Sequence, residues 1–107
     1  MKILLDESLP RKLRNDFGNM HEVWSVRDKG WLGKKNGELL KLLVGDGFEI
    51  FVTSDRNLSY QQNTKVLSVT IFVLCAKDNR LNTLRQLVPK VLAKIEVGEL
   101  HDVIEIS

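Results

Sequence analysis

Short, uninterrupted apolar runs recur along this chain of 107 residues, and helix-like segments lie between them. The clearest runs are Ile3-Leu4-Leu5, residues 48–53 and residues 70–74. A strand that is apolar on both faces needs cover on both faces, which is typical of parallel sheets in α/β proteins. Two further strands are predicted over residues 22–26 and 103–106. We therefore expect a mostly parallel, five-stranded sheet with helices on both faces, an α/β domain of three layers.

Helices are predicted in the segments between these strands. Ser8 as an N-cap and Pro10 in the first turn predict a helix over residues 9–17. A leucine-rich stretch predicts a second helix over residues 38–44, after a glycine-containing loop over residues 27–37. Residues 57–62 fit a short helix. The longest helical periodicity covers residues 81–95, where Pro89 predicts a kink or a restart.

Length and cysteine usage bound the organisation of the chain. At 107 residues, without repeats or a linker-like stretch, residues 1–107 fit one domain. Cys75 is the single cysteine, so no disulfide can form within the chain. The apolar start reaches a charge too soon for a signal sequence or a membrane span. These features predict a cytoplasmic protein without a membrane partner.

The charges are distributed unevenly. The last twelve residues contain four acidic side chains and no Lys or Arg, so residues 1–95 carry sixteen basic against ten acidic side chains. A basic body is compatible with a polyanionic partner, although a charge of this size is also common for solubility alone. The acidic tail and the exposed edge strands leave room for a homodimer.

Two buried strands each run into an aspartate, at Asp6 and Asp55, and Glu7 adds a third carboxylate. With a strand order of 2-1-3-4-5, the first and third strands are neighbours, and their carboxyl ends share one crevice. Clustered carboxylates need a compensating charge, and oxygen ligands without His or Cys suit Mg²⁺ or Mn²⁺. The bland alternative is that each aspartate caps a helix or closes a turn.

Basic and aromatic side chains are spread around the predicted crevice. A cation there can polarise a phosphodiester, as in metal-dependent nucleases, and flanking basic groups would meet the phosphates. The Thr53 hydroxyl would steady Asp55, or Thr53 is simply a β-branched strand residue. Trp24 and Trp31 either stack on bases or pack internally. The basic residues expected to contact the backbone of single-stranded RNA are Arg11, Lys34, Lys35 and Arg56.

Three segments together resemble a small PIN-like family, often called DUF5615, which is related to VapC-type toxins and Mut7-C domains. They are Ile3-Leu4-Leu5-Asp6-Glu7-Ser8-Leu9-Pro10, the stretch from residue 30 to residue 40, and Val52-Thr53-Ser54-Asp55-Arg56-Asn57-Leu58. The resemblance covers essentially the whole chain. It implies a PIN-like ribonuclease fold with Mg²⁺ or Mn²⁺ as the cofactor, and a toxin role with an antitoxin protein as a partner.

The family motifs carry over to this chain with substitutions. Asp6, Glu7 and Asp55 keep the acidic identities and are the expected catalytic residues. Asn36 stands where the family has a helix-start Asp, and Asn57 where it has another Asp. An amide oxygen can ligate a cation but adds no charge. Expected metal ligands are Asp6, Asp55, Asn36 and Glu38, with Glu38 supplying a missing carboxylate; Thr53 and Asn57 join the expected substrate contacts.

Three functions remain open at this stage. The first is a metal-dependent PIN-like endoribonuclease. The second is a catalytically inactive PIN-like module that binds RNA or an antitoxin, which the Asn36 and Asn57 replacements favour. The third is a phosphoacceptor receiver domain, which shares the strand order and the acidic turns. A receiver needs a Lys after the fifth strand, and no such Lys is present in the sequence.

Overall fold

A computed structural model describes residues 1–34, 36–56, 69–98, 100 and 102–107. It contains a five-stranded sheet in the order β2-β1-β3-β4-β5, with all neighbouring strands parallel. This order is the 2-1-3-4-5 order considered from the sequence, in which the first and third strands are neighbours. The strands are β1 (Lys2–Leu5), β2 (Glu22–Ser25), β3 (Ile50–Thr53), β4 (Thr70–Leu74) and β5 (Val103–Ile106).

Helices cover both faces of the sheet, which confirms the three-layer α/β architecture. A 3-10 helix, η1 (Arg11–Phe17), lies on one face with two α-helices, α2 (Leu81–Leu84) and α3 (Val88–Val97). The opposite face is covered by α1 (Asn36–Gly45). Successive strand residues point to opposite faces, so Ile3 and Leu5 pack towards η1 and α3, while Leu4 packs towards α1.

The central strands are apolar on both faces because they are buried on both faces. Every residue of β3 and β4 is buried, and Leu4 of β1 aligns with Trp24 of β2 on one side and Phe51 of β3 on the other. Full burial of such side chains is the main favourable contribution to folding, about 1.5 to 3 kcal/mol for each large apolar side chain. It also fixes the positions of the strand ends, and polar residues such as Asp6 and Asp55 come directly or shortly after those ends.

The predicted start of the first helix is wrong. Ser8 does not cap it: η1 begins at Arg11, the cap position is Pro10, and no side chain donates or accepts a capping bond there. The chain first makes a turn, in which the Leu9 N–H donates to the Asp6 carbonyl over 3.1 Å. The Ser8 hydroxyl contacts Asp6 and Ser54 instead. The helix is also of the tighter 3-10 type, and it ends at Gly18, whose φ of 73° suits glycine.

The other helical segments follow their sequence signals closely. Helix α1 begins at Asn36, so the preceding loop is shorter than predicted. The periodic segment after β4 restarts at Val88 with Pro89 in the first turn, as predicted, because proline lacks only an N–H that no helix uses there. The short helix predicted over residues 57–62 lies outside the described residues. In the described part of the chain, no helix is long and apolar enough to cross a membrane.

Candidate active site

Asp6 stands at the carboxyl end of β1, between β2 and β3. Its backbone N–H donates to the Val52 carbonyl over 2.9 Å, which continues the pairing of β1 with β3 by one residue. Backbone pairing therefore holds Asp6 at the edge of the sheet where functional crevices of doubly wound folds lie. Asp55 follows β3 at the same edge. The structure thus places the two aspartates at the ends of neighbouring strands, as the sequence predicted.

The Asp6 carboxylate accepts three hydrogen bonds. The Thr53 hydroxyl donates to Oδ2 over 2.6 Å, and the Ser8 hydroxyl contacts the same oxygen over 3.3 Å. The Glu7 backbone N–H donates to Oδ1 over 2.8 Å. The Thr53 oxygen also accepts the Asp55 backbone N–H over 3.1 Å. One hydroxyl therefore joins the Asp6 carboxylate to the turn that carries Asp55.

Burial raises the pKa of Asp6 above its ordinary value of 3.8. The hydrogen bonds from Thr53, the Glu7 N–H and Ser8 act in the opposite direction because they stabilise the charged carboxylate, and the nearby Glu7 carboxylate adds to the rise. Removal from water is the largest of these effects. A carboxylate in this position gains from a nearby positive charge, because such a charge compensates for the water that burial removes.

The donor chemistry of Asp6 and Asp55 fits a hard cation, but the described residues do not supply a closed cage. Among residues 1–34, 36–56, 69–98, 100 and 102–107, no group of three or more His, Cys, Asp or Glu side chains is arranged to hold a metal ion. Mg²⁺ is commonly held by only one or two carboxylates, with water and substrate phosphates as its other ligands. Asp6 and Asp55 together have the number of carboxylates that this mode of binding requires.

Glu38 lies in the first turn of α1, where its side chain is exposed and forms an ion pair with Lys34, Oε1 to Nζ 3.2 Å. This contact occupies both residues with each other, and it gives no support to Glu38 as a metal ligand or to Lys34 as a phosphate contact. The predicted roles of Lys35, of the Asn36 side chain and of Asn57 fall outside the part of the chain that the structure describes.

Thr53 is completely buried, with 0% of its surface exposed. A substrate cannot reach its hydroxyl, which already donates to Asp6 and accepts from Asp55. This placement gives no support to Thr53 as a direct substrate contact and makes it a positioning residue for Asp6. Of the two roles considered for Thr53, the structure favours the one in which its hydroxyl steadies the acidic turns.

Arg56 and Arg11 lie in different surroundings. Arg56 is exposed, and its Nη2 donates to the Ala76 carbonyl over 3.1 Å, so it bridges the turns after β3 and β4. Arg11 lines a small cleft with Asp6, Glu7 and Arg27. Sequence reasoning missed Arg27. The available signal was its position two residues after β2, because the carboxyl ends of all parallel strands meet at one edge of the sheet.

Trp31, Trp24 and Cys75 contact residues other than Asp6. Trp31 is partly buried and packs edge-on against Phe48, with ring centroids 6.1 Å apart, at the margin of the core beneath α1. Trp24 is 36% exposed, and the Lys29 ammonium lies over its ring. The Cys75 thiol, partly buried, contacts the Val73 carbonyl. These contacts are packing interactions and add nothing to the site around Asp6.

Comparisons of the chain with protein-family models, with curated proteins and with solved structures found no match. The resemblance to the PIN-like family therefore stays a prediction from the three sequence segments.

Proposed function

We propose that this protein is a Mg²⁺- or Mn²⁺-dependent endoribonuclease of the PIN-like type. One observation carries the proposal: the buried Thr53 hydroxyl joins the Asp6 carboxylate to the backbone of Asp55 at the carboxyl ends of two neighbouring parallel strands. Such a link would hold the Asp6 carboxylate at a fixed distance from the backbone that carries Asp55. The family resemblance extends the proposal to a toxin role with an antitoxin protein as a partner, and the single cysteine supports a cytoplasmic setting.

In this proposal each residue of the chain has a distinct role. Asp6 and Asp55 would hold the cation. Glu7, whose side chain is exposed, would be the third catalytic carboxylate. Thr53 would orient the Asp6 carboxylate, and Arg11 would contact a phosphate of the RNA. When bound, a divalent cation supplies the positive charge that polarises a phosphodiester and assists attack by water. It would also lower the pKa of Asp6, because the cation favours the ionised carboxylate.

The proposal is tested by cleavage of single-stranded RNA in the presence of Mn²⁺, with EDTA as the metal-free control. The variants Asp6→Asn and Asp55→Asn each remove one carboxylate and are expected to lose cleavage. The matched control is Glu22→Gln, which removes one negative charge from an exposed position at the opposite edge of the sheet. We expect Glu22→Gln to cleave like the wild type.

Equal cleavage by the wild type and by Asp6→Asn would overturn the proposal, because the activity would then come from a contaminant. Absence of cleavage, combined with RNA binding, would support the second candidate, a PIN-like module that binds RNA without cutting it. Asn36 and Asn57, which stand where the resembled family has Asp, favour that candidate. Binding of Mn²⁺ by the wild type and not by Asp6→Asn would show that the metal site is intact. Absence of Mn²⁺ binding by the wild type would show that the site has been lost.

A further inference from the structure

A small cleft opens on the β2 side of Asp6, at the carboxyl ends of β1 and β2. It is lined by two acidic residues, Asp6 and Glu7, and by two basic residues, Arg11 and Arg27. The cleft volume is about 100 Å³. A water molecule occupies about 30 Å³ in the liquid, so the cleft has room for a group the size of a phosphate.

Arg27 is held at this cleft by the turn that follows β2. The Val26 N–H donates to the Leu5 carbonyl over 2.9 Å, which extends the pairing of β1 and β2 to Val26, the residue before Arg27. Ser25 and Asp28 then bond each other reciprocally: the Ser25 N–H donates to Asp28 Oδ2 and the Asp28 N–H donates to Ser25 Oγ. These bonds close the turn around Arg27. The backbone that carries Arg27 is therefore fixed on both sides.

Arg11 reaches the cleft from the 3-10 helix η1. Side chains three residues apart lie above one another in a 3-10 helix, so Arg11 and Arg14 share one face of η1. Arg14 on that face pairs with Asp28, Nη1 to Oδ2 2.7 Å. This ion pair ties η1 to the turn that carries Arg27. One acidic residue, Asp28, thereby positions both elements from which the two cleft arginines project.

Among the residues that the structure describes, the two cleft arginines are not paired with carboxylates, unlike two other arginines of the protein. Arg14 and Arg85 form ion pairs with Asp28 and Asp16, whereas within the described part of the chain neither Arg11 nor Arg27 forms an ion pair. Both are exposed. A guanidinium group donates paired hydrogen bonds that match the oxygens of a phosphate. The cleft is therefore lined by two residues of the type that binds phosphate.

We infer that Arg11 and Arg27 form a binding subsite for one phosphate group of single-stranded RNA, directly beside Asp6. This inference rests on the proposed function and assigns to that site the position of the substrate backbone. Asp6 then separates two halves of the site. Asp55 and Thr53 lie on its β3 side, and the phosphate subsite lies on its β2 side. The carboxylates of Asp6 and Glu7 set the limit of the subsite, because they repel a phosphate that moves deeper.

Binding of a short fluorescein-labelled oligouridylate, followed by fluorescence anisotropy in EDTA and in Mn²⁺, tests the inference. Arg27→Gln and Arg11→Gln are each expected to raise the dissociation constant about tenfold. Each should also reduce the slope of log affinity against log salt by about 0.7, the value for one phosphate of a single strand. The matched control is Lys12→Gln, which removes the same charge from the neighbouring exposed position on η1, outside the cleft.

Lys12→Gln should change the dissociation constant by less than about twofold, because an exposed charge outside the cleft is screened by salt. Arg27→Lys keeps the charge and should restore part of the affinity. An Arg27→Gln protein with the affinity and salt slope of the wild type would overturn the inference, as would a wild type that does not bind the RNA. Cleavage in Mn²⁺ that survives with an unchanged KM in Arg27→Gln would overturn the subsite and leave the nuclease proposal standing. RNA binding that depends on the two arginines, without any cleavage, would support the subsite and overturn the nuclease proposal.

Discussion

The Thr53 hydroxyl donates a 2.6 Å hydrogen bond to Asp6 Oδ2 and accepts a 3.1 Å hydrogen bond from the Asp55 N–H. A hydroxyl has one proton to donate and lone pairs to accept, so this single buried group serves two neighbouring strand ends at once. Its position follows from strand alternation. In β3, Phe51 and Thr53 point to the same face, and Thr53 comes last, beside the end of β1.

Replacing Thr53 with valine tests this link. The Thr53→Val protein keeps the shape of the side chain but leaves Asp6 Oδ2 without its shortest bond and the Asp55 N–H without its acceptor. We expect a loss of about 1 to 2 kcal/mol in the free energy of unfolding, measured by urea denaturation. Under the proposed function, Mn²⁺ affinity should fall roughly 10- to 100-fold, as for other residues that orient a metal ligand.

Thr53→Ser is the matched control, because it keeps the hydroxyl and removes only a methyl group. It should retain Mn²⁺ affinity close to that of the wild type while losing some stability through the small cavity. If Thr53→Val bound Mn²⁺ as tightly as the wild type, Thr53 would have no role in positioning Asp6.

The arrangement of the sheet could be predicted from the sequence because it depends on residue types that have few other uses. Continuous apolar runs must be buried on both faces, and alternation of strands with helices leads to a parallel sheet. The restart at Pro89 was equally readable, because proline is restricted to the first turn of a helix. The beginning of η1 could not be predicted from the sequence in the same way. Ser8 is a good N-cap in isolation, but the Asp6 carboxylate competes for its hydroxyl.

The site could be predicted only in part, for a related reason. Asp6 and Asp55 were found because strand ends are readable, whereas the partners of side chains outside the strands depend on three-dimensional packing. Arg27 was missed because its residue type does not distinguish it from the other basic residues of the loop, and its position just after the second strand was not used. The Ser25–Asp28 bonds and the Arg14–Asp28 ion pair, which bring it to the cleft, connect residues that are distant in sequence or unremarkable alone.

Packing of η1 on the sheet should control the stability of the protein. Leu13 and Phe17 are buried in the core beneath η1, whereas Lys12 on the same helix is exposed. Leu13→Ala removes buried methyl groups and leaves a cavity, so it should lower the free energy of unfolding by about 2 to 5 kcal/mol in urea denaturation. Lys12→Ala should change it by less than about 0.5 kcal/mol. Similar losses for the two variants would show that η1 is not packed as the structure describes.

Glu38 offers a test of how far the metal site extends. Its carboxylate is exposed and paired with Lys34, so Glu38→Gln should leave Mn²⁺ binding unchanged in a calorimetric titration. The expected change in unfolding free energy is at most about 0.5 kcal/mol, a typical contribution of an exposed ion pair. A clear loss of Mn²⁺ affinity in Glu38→Gln would instead return Glu38 to the ligand set that the sequence suggested.

The pH dependence of stability should reveal the Asp28 network. The Ser25 N–H, together with the Ser25 hydroxyl and the Arg14 and Arg11 charges, lowers the pKa of Asp28 below its ordinary value of 3.8. A lowered folded-state pKa means that the Asp28 carboxylate contributes its full stabilisation above the unfolded value and loses it as the pH falls through the folded value. Asp28→Asn keeps an acceptor oxygen but loses the charge, so it should cost about 0.5 to 1 kcal/mol at neutral pH.

That cost should shrink towards zero in acid, where the wild-type carboxylate is also protonated. The measurement is the difference in unfolding free energy between Asp28→Asn and the wild type, taken by urea denaturation across the acidic range. Arg14→Gln, which removes only one cause of the lowered pKa, should show a smaller difference. A cost that stays constant with pH would mean that the Asp28 charge does not hold the turn. The same Asp28→Asn protein should bind RNA more weakly, because the turn carrying Arg27 would lose its anchor to η1.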